Sequence, residues 1–94
     1  MQMPVRVRVP TPLRRLTREQ PEVTIQATSV AQAIDALDAT YPGLGERLRE
    51  ENGELRRFVN LYLNGEDVRF LAGVDTPIKD GDELSIVPAM AGGR

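Results

Sequence analysis

Phe58-Val59-Asn60-Leu61-Tyr62-Leu63-Asn64-Gly65 is the stretch on which the fold turns. In an extended chain Val59, Leu61 and Leu63 fall on one side and Phe58, Asn60 and Tyr62 on the other. That alternation predicts a strand from Phe58 to Leu63 with one buried face. Asn64 and Gly65 both tolerate positive φ, the requirement of a tight hairpin turn. A short strand over Glu66 to Arg69 is expected to return from it. Further on, Leu71 to Pro77 reads as a loop carrying small apolar anchors. Ile78 precedes a Lys79-Asp80-Gly81-Asp82 turn. Glu83 to Val87 forms a last strand, with Leu84 and Ile86 inward and Ser85 and Val87 outward.

Toward the N-terminus, Val5, Val7 and Val9 alternate with Arg6 and Arg8, and Pro10 and Pro12 end that strand because proline cannot donate to a ladder. Leu13 to Gln20 reads as a polar connection with Leu13 and Leu16 as anchors. Val23, Ile25 and Ala27 alternate with Glu22, Thr24 and Gln26, which makes a second strand and a hairpin with a long basic loop. Ser29 is a good helix N-cap, and Gln32 sits in the capping-box position. Val30, Ile34, Leu37 and Tyr41 share one helical face, Ala33 widens it, and Asp35 and Asp38 are expected to point to water. Pro42-Gly43 stops the helix. Leu44 and Leu48 suggest a further short turn of helix, and Asn52-Gly53 is a break. For the first and last strands to lie side by side, the chain must cross over through the helix, so they form a parallel central pair. The expected class is therefore α+β: a mixed sheet of about five strands with one main helix packed across it, the β-grasp or ubiquitin-like arrangement. It comprises one domain over 1–89 and a flexible tail over 90–94.

Ninety-four residues suffice for one modest core. The formal net charge of -2 disfavours a nucleic-acid partner. With no Cys and no His, the chain lacks disulfides, thiolate nucleophiles and the commonest general base. Carboxylate pairs remain, but so small a domain offers little room for a dry catalytic pocket, so an enzyme is not expected. No apolar run approaches the ~18 residues that span a bilayer, and Met1 to Pro12 lacks the apolar region of a signal peptide. The expectation is a cytoplasmic protein with no membrane partner. Asp80 and Asp82 raise the question of a metal site, but a Lys-Asp-Gly-Asp run reads first as a turn.

The chain runs out through Met90-Ala91-Gly92-Gly93-Arg94. A small-residue end is often merely frayed. Here it follows directly from a predicted central strand, which fixes its point of exit. Glycine lacks Cβ, so a Gly-Gly end is thin and conformationally free. Those properties suit a carboxylate that threads a narrow channel into a partner's active site, where ATP would convert it to an acyl-adenylate.

The segment from Arg57 to Phe70, with its Phe58-Val59-Asn60 and Glu66-Asp67-Val68-Arg69-Phe70 phrases, resembles the middle of ubiquitin-like sulfur carrier proteins. The segment from Ile78 to Gly93, with Asp80-Gly81-Asp82-Glu83-Leu84 and the closing Ala91-Gly92-Gly93, resembles their end. This is the MoaD/ThiS family, and within it the phrases are most similar to the CysO branch. The resemblance covers nearly the whole chain. It implies that Gly93 is adenylated by an E1-like enzyme of the MoeB/ThiF type and then receives sulfur as a thiocarboxylate. It further implies that a pyridoxal-phosphate cysteine synthase presents an aminoacrylate that accepts the sulfur, and that a zinc-dependent JAMM-type metallopeptidase releases the cysteine. By the same resemblance the carrier binds none of these cofactors, and ATP and pyridoxal phosphate belong to its partners.

Arg94 departs from the family pattern, because it locks the Gly93 carboxyl group in a peptide bond. Either Arg94 is a processing residue that a peptidase trims, or it is a cloning scar or truncated tag. The face of the sheet away from the helix is expected to carry Arg6, Arg8, Phe58, Asn60, Tyr62, Ser85 and Val87. Large apolar groups there, Phe58, Tyr62 and Val87, together with Met90 near the tail, suggest a patch that docks the partner. The plainer reading is scattered surface apolars that need no explanation. Arg6 and Arg8 add charge complementarity toward an acidic partner or are simply solvated. Three other functions compete with cysteine biosynthesis. One is sulfur transfer in a molybdopterin synthase or thiazole pathway, another is protein modification through Gly93, and the last is an interaction module with an inert tail.

Overall fold

Alternation builds the sheet. In the computed structural model, which describes residues 4–88, Val5 and Val7 are fully buried on β1 (Pro4–Arg8) while Arg6 and Arg8 face solvent. β2 (Glu22–Gln26) pairs antiparallel with β1, with Val23 and Ile25 inward. Then come α1 (Val30–Thr40) and α2 (Leu44–Leu48), β3 (Val59–Leu63), β4 (Glu66–Asp67) and β5 (Glu83–Pro88). The strand order is β2-β1-β5-β3-β4. β1 and β5 run parallel at the centre, and the other pairs are antiparallel. This is the expected β-grasp arrangement.

The predicted inward residues of the strands, from Val5, Val7 and Val9 to Leu84 and Ile86, are all buried, and one apolar cluster joins them to Val30, Ala33, Ile34 and Leu37 of α1 and to Leu44 and Leu48 of α2. Each buried Val, Leu or Ile among them contributes about 1.5–3 kcal/mol relative to an exposed one, so helix and sheet hold each other in place. The Asn64-Gly65 turn has φ of 52° and 92°, as the hairpin requires.

Several local expectations need correction. Leu13 to Gln20 is not merely a polar connection, because Thr11–Thr17 winds into a 3₁₀ helix with Thr17 fully buried. The Thr17 hydroxyl lies 2.9 Å from the Gln20 carbonyl that accepts from it, so burial leaves no orphan donor. The strand predicted to start at Phe58 starts at Val59. The return strand stops at Asp67 instead of Arg69, because Val68–Phe70 turns into a 3₁₀ helix that drives Val68 into the core. Gly73–Asp75 forms another 3₁₀ turn inside the expected 71–77 loop, and Leu71 is exposed there rather than anchoring it. Ser29 caps α1 by accepting from the Gln32 amide. The returning Gln32 side chain, however, accepts from Thr28, not Ser29. Asp38 does not simply face water: its Oδ1 accepts from the Gly43 and Gly45 amides at 3.2 and 2.9 Å.

Candidate functional site

β5 lies between β1 and β3. β1 pairs with it only as far as Ser85, and β3 pairs along it to Pro88, so β3 holds the base of the tail. The registers lay out the face opposite α1. Tyr62 pairs with Ser85, Asn60 with Val87, and Leu63 and Val59 close the two ends of the β3–β5 ladder. Across β5, Arg8 pairs with Ser85 and Arg6 with Glu83. The Arg8 Nη1 donates to Glu83 Oε2 at 3.2 Å. Both partners are partly exposed, so this ion pair orients Arg8 more than it stabilises the fold.

Two of the predicted docking residues stand well out: Phe58 is 53% and Val87 41% exposed. Tyr62, four residues beyond Phe58, is only half-buried. The three do not form an unbroken apolar line. Asn60 stands between Phe58 and Tyr62, and its Oδ1 accepts from Arg69 Nη1 at 2.6 Å. The same guanidinium donates through Nη2 to the Arg56 carbonyl at 2.6 Å. Arg69 thus ties the turn after β4 to the start of β3 and to the chain that leads into it. Open grooves flank the patch, one of about 750 Å³ lined by Arg56, Arg57 and Phe58 among others, and one of about 440 Å³ beside Arg14, Ser85 and Val87. Their charged rims suit a protein partner better than a small apolar ligand.

Met90, Ala91, Gly92, Gly93 and Arg94 lie outside the described residues. Sequence reasoning missed Phe70, at 87% the most exposed large apolar side chain among the described residues. The signal for it lies in Val68-Arg69-Phe70-Leu71, where three large apolar residues follow a strand too short to bury more than one. Asp82 is consumed by its own turn. Its Oδ2 accepts from the Lys79 amide at 2.7 Å and its Oδ1 from Asn64 Nδ2 at 3.0 Å. Among the described residues no group of three or more His, Cys, Asp or Glu is placed to hold a metal ion. No helix among them is long and apolar enough to cross a membrane.

A sheet whose central last strand feeds directly into a Gly-Gly end is the frame of the sulfur carriers that the sequence resembles, and the ThiS family matches residues 7–93. The chain belongs to the ThiS family. It is 46% identical over 93 residues to the sulfur carrier protein CysO of Mycobacterium tuberculosis, an alignment that covers 97% of this chain and all of the relative. A putative sulfur carrier protein of Archaeoglobus fulgidus is 33% identical over 91 residues, with 97% of this chain and all of the relative covered. Among solved structures, the fold matches the BexX/CysO complex of Amycolatopsis orientalis with a TM-score of 0.87 and 41% identity, covering 90% of this chain and 94% of that one. These members of the family are named as carriers and not as enzymes, and in that last structure the carrier is held in complex with another protein.

Proposed function

We propose that this chain is a sulfur carrier protein that bears sulfur as a thiocarboxylate on Gly93 and delivers it for cysteine biosynthesis. The observation that carries this reading is the full-length similarity to CysO, on a sheet whose central strand ends at the root of the Gly-Gly tail. The peptide bond to Arg94 is hydrolysed first, which frees the Gly93 carboxylate. The carboxylate attacks the α-phosphate of ATP on the adenylating enzyme, and pyrophosphate leaves. A sulfur nucleophile then displaces AMP at the carbonyl carbon, with the low basicity of AMP making the adenylate a good electrophile. The thiocarboxylate sulfur is nucleophilic and adds to the aminoacrylate held by a cysteine synthase, giving a thioester of cysteine. The cysteine amine then attacks the thioester carbonyl, breaking the C–S bond and forming an amide on Gly93. A JAMM-type metallopeptidase hydrolyses that amide to release cysteine and restore the Gly93 carboxylate. The carrier contributes no catalytic group. It supplies a docking face around Phe58, Tyr62 and Val87, to which Met90 of the tail adds, and a tail narrow enough to enter each partner. All of these partners work in the cytoplasm on this reading.

The test is a comparison of two proteins, one ending at Gly93 and one carrying Arg94, each incubated with the adenylating enzyme of the same genome, ATP and a sulfur donor. The trimmed protein is expected to gain the mass of one oxygen-to-sulfur exchange, and the Arg94 protein to stay unchanged. A trimmed protein that keeps its mass under conditions where the enzyme turns over a known carrier would refute the reading. Mass spectrometry of the protein from its native cell decides the fate of Arg94: a mature species that still carries it rules out trimming.

A further inference from the structure

Asn60 sits on the outer face of β3, with Tyr62 two residues further along the strand, Val87 opposite it on β5, and the exposed Phe58 in the turn just before the strand. A polar side chain in that position is either turned away or put to use. Arginine carries only donors, so the Asn60 atom that faces Arg69 has to be the oxygen. This fixes the amide: Oδ1 is spent on Arg69, and the Nδ2 group, with two N–H donors, is left without a partner among the described residues. Arg69 cannot easily swing aside, because its second nitrogen is bound to the Arg56 carbonyl and its own amide donates to Asp67 Oδ1 at 2.9 Å. The result is a pre-oriented pair of donors in a patch that closure against a partner would dry.

We infer that Asn60 is a specificity-determining residue of the docking face: its Nδ2 donates to a neutral carbonyl oxygen of the adenylating enzyme, and Arg69 is the positioning residue that aims it. A neutral acceptor fits because Tyr62 and Val87 stand beside Asn60 on that face, and drying an extra carboxylate there costs far more than drying a carbonyl. A donor left unmet under a closed interface is expensive, so a partner without an acceptor at this point is rejected as well as merely bound less well. This inference rests on the docking reading above and deepens it.

The measurement is the affinity of the trimmed, full-length carrier for the adenylating enzyme, taken alongside its unfolding midpoint. Asn60→Asp keeps shape and gives Arg69 a charged partner, so the fold should be no less stable, while affinity falls about tenfold or more because an acceptor now faces an acceptor. Asn60→Ala should lose about fivefold. That loss should be the same at low and high salt, since no charge pair is broken; a loss that vanishes in salt would place a carboxylate opposite Asn60 and contradict the assignment. Arg69→Met should lower affinity as Asn60→Ala does, and Arg69→Lys, which still donates to Oδ1, should recover most of it. A stable Asn60→Asp protein that binds within twofold of the wild type overturns the inference while leaving sulfur carriage intact. A wild type that neither binds the enzyme nor is activated by it removes the carrier reading and this one together.

Discussion

Asp38 caps a helix to which it does not belong. It sits near the end of α1, yet its Oδ1 accepts the amides of Gly43 and Gly45 at the start of α2. α2 has five residues, and its N-cap, Gly43, brings no side chain, so most of its first amides would otherwise rely on water. Asp38→Ala should therefore lose about 1–2 kcal/mol of stability in urea unfolding, with Asp38→Asn losing less because it keeps an acceptor. A loss indistinguishable from zero would mean that the contact is ornamental. A Cβ on Gly45 would stand 3.0 Å from Cβ, Cγ and Oδ1 of Asp38. Gly45→Ala should displace the same carboxylate, and the double variant should fall short of the sum of the two single ones. Asn60 makes the same point on the opposite face: a side chain's role is set by which of its atoms is already engaged.

The β3–β4 hairpin is anchored at its tip as well as along its ladder. Asn64 donates through Nδ2 to Asp82 and accepts the Glu83 amide through Oδ1, both at 3.0 Å, so the turn is bolted to the start of β5. Gly65→Val forces a β-branched residue to the φ of 92° seen there and should cost on the order of 1–3 kcal/mol, read as a fall in Tm by circular dichroism. A Tm within a degree or so of wild type would show that the turn can change type without strain. Elements of this kind were open to inspection in the sequence, because strand alternation and the Asn-Gly pair act over a few neighbouring residues. The missed pieces depend on partners far along the chain. Thr76 is buried because its carbonyl accepts from the Val30 amide at 3.0 Å and so helps to start α1, which nothing in the 71–77 segment announces. β4 is cut short because Val68 finds a place in the core, and Arg69 reaches Asn60 only once that turn has formed. Phe58 and Val87 could be picked out by alternation alone; the donor between them could not.

On the scale of the whole molecule, the sheet has one face covered by α1 and, among the described residues, the other left open. Tyr62→Ala removes a half-buried side chain from that outer face and leaves the core untouched. Its unfolding midpoint should stay close to wild type while affinity for the adenylating enzyme drops about tenfold, in the range of an interface hot spot. Equal affinity would move the docking face elsewhere, with Phe70 and Leu71 as the next exposed apolar pair. The parallel pairing of β1 with β5 has a further consequence, for how the protein is made. Arg8 and Glu83, ion-paired across that seam, are 75 residues apart in sequence. On a ribosome, β1 waits for its central neighbour until every other strand of the sheet has been translated, and contacts of such long range make closure a slow event. A nascent chain halted before Glu83 has two raw strand edges, at β1 and β3, and nothing between them. A chain cut short before Glu83 therefore lacks the one strand that both closes the sheet and leads into the tail.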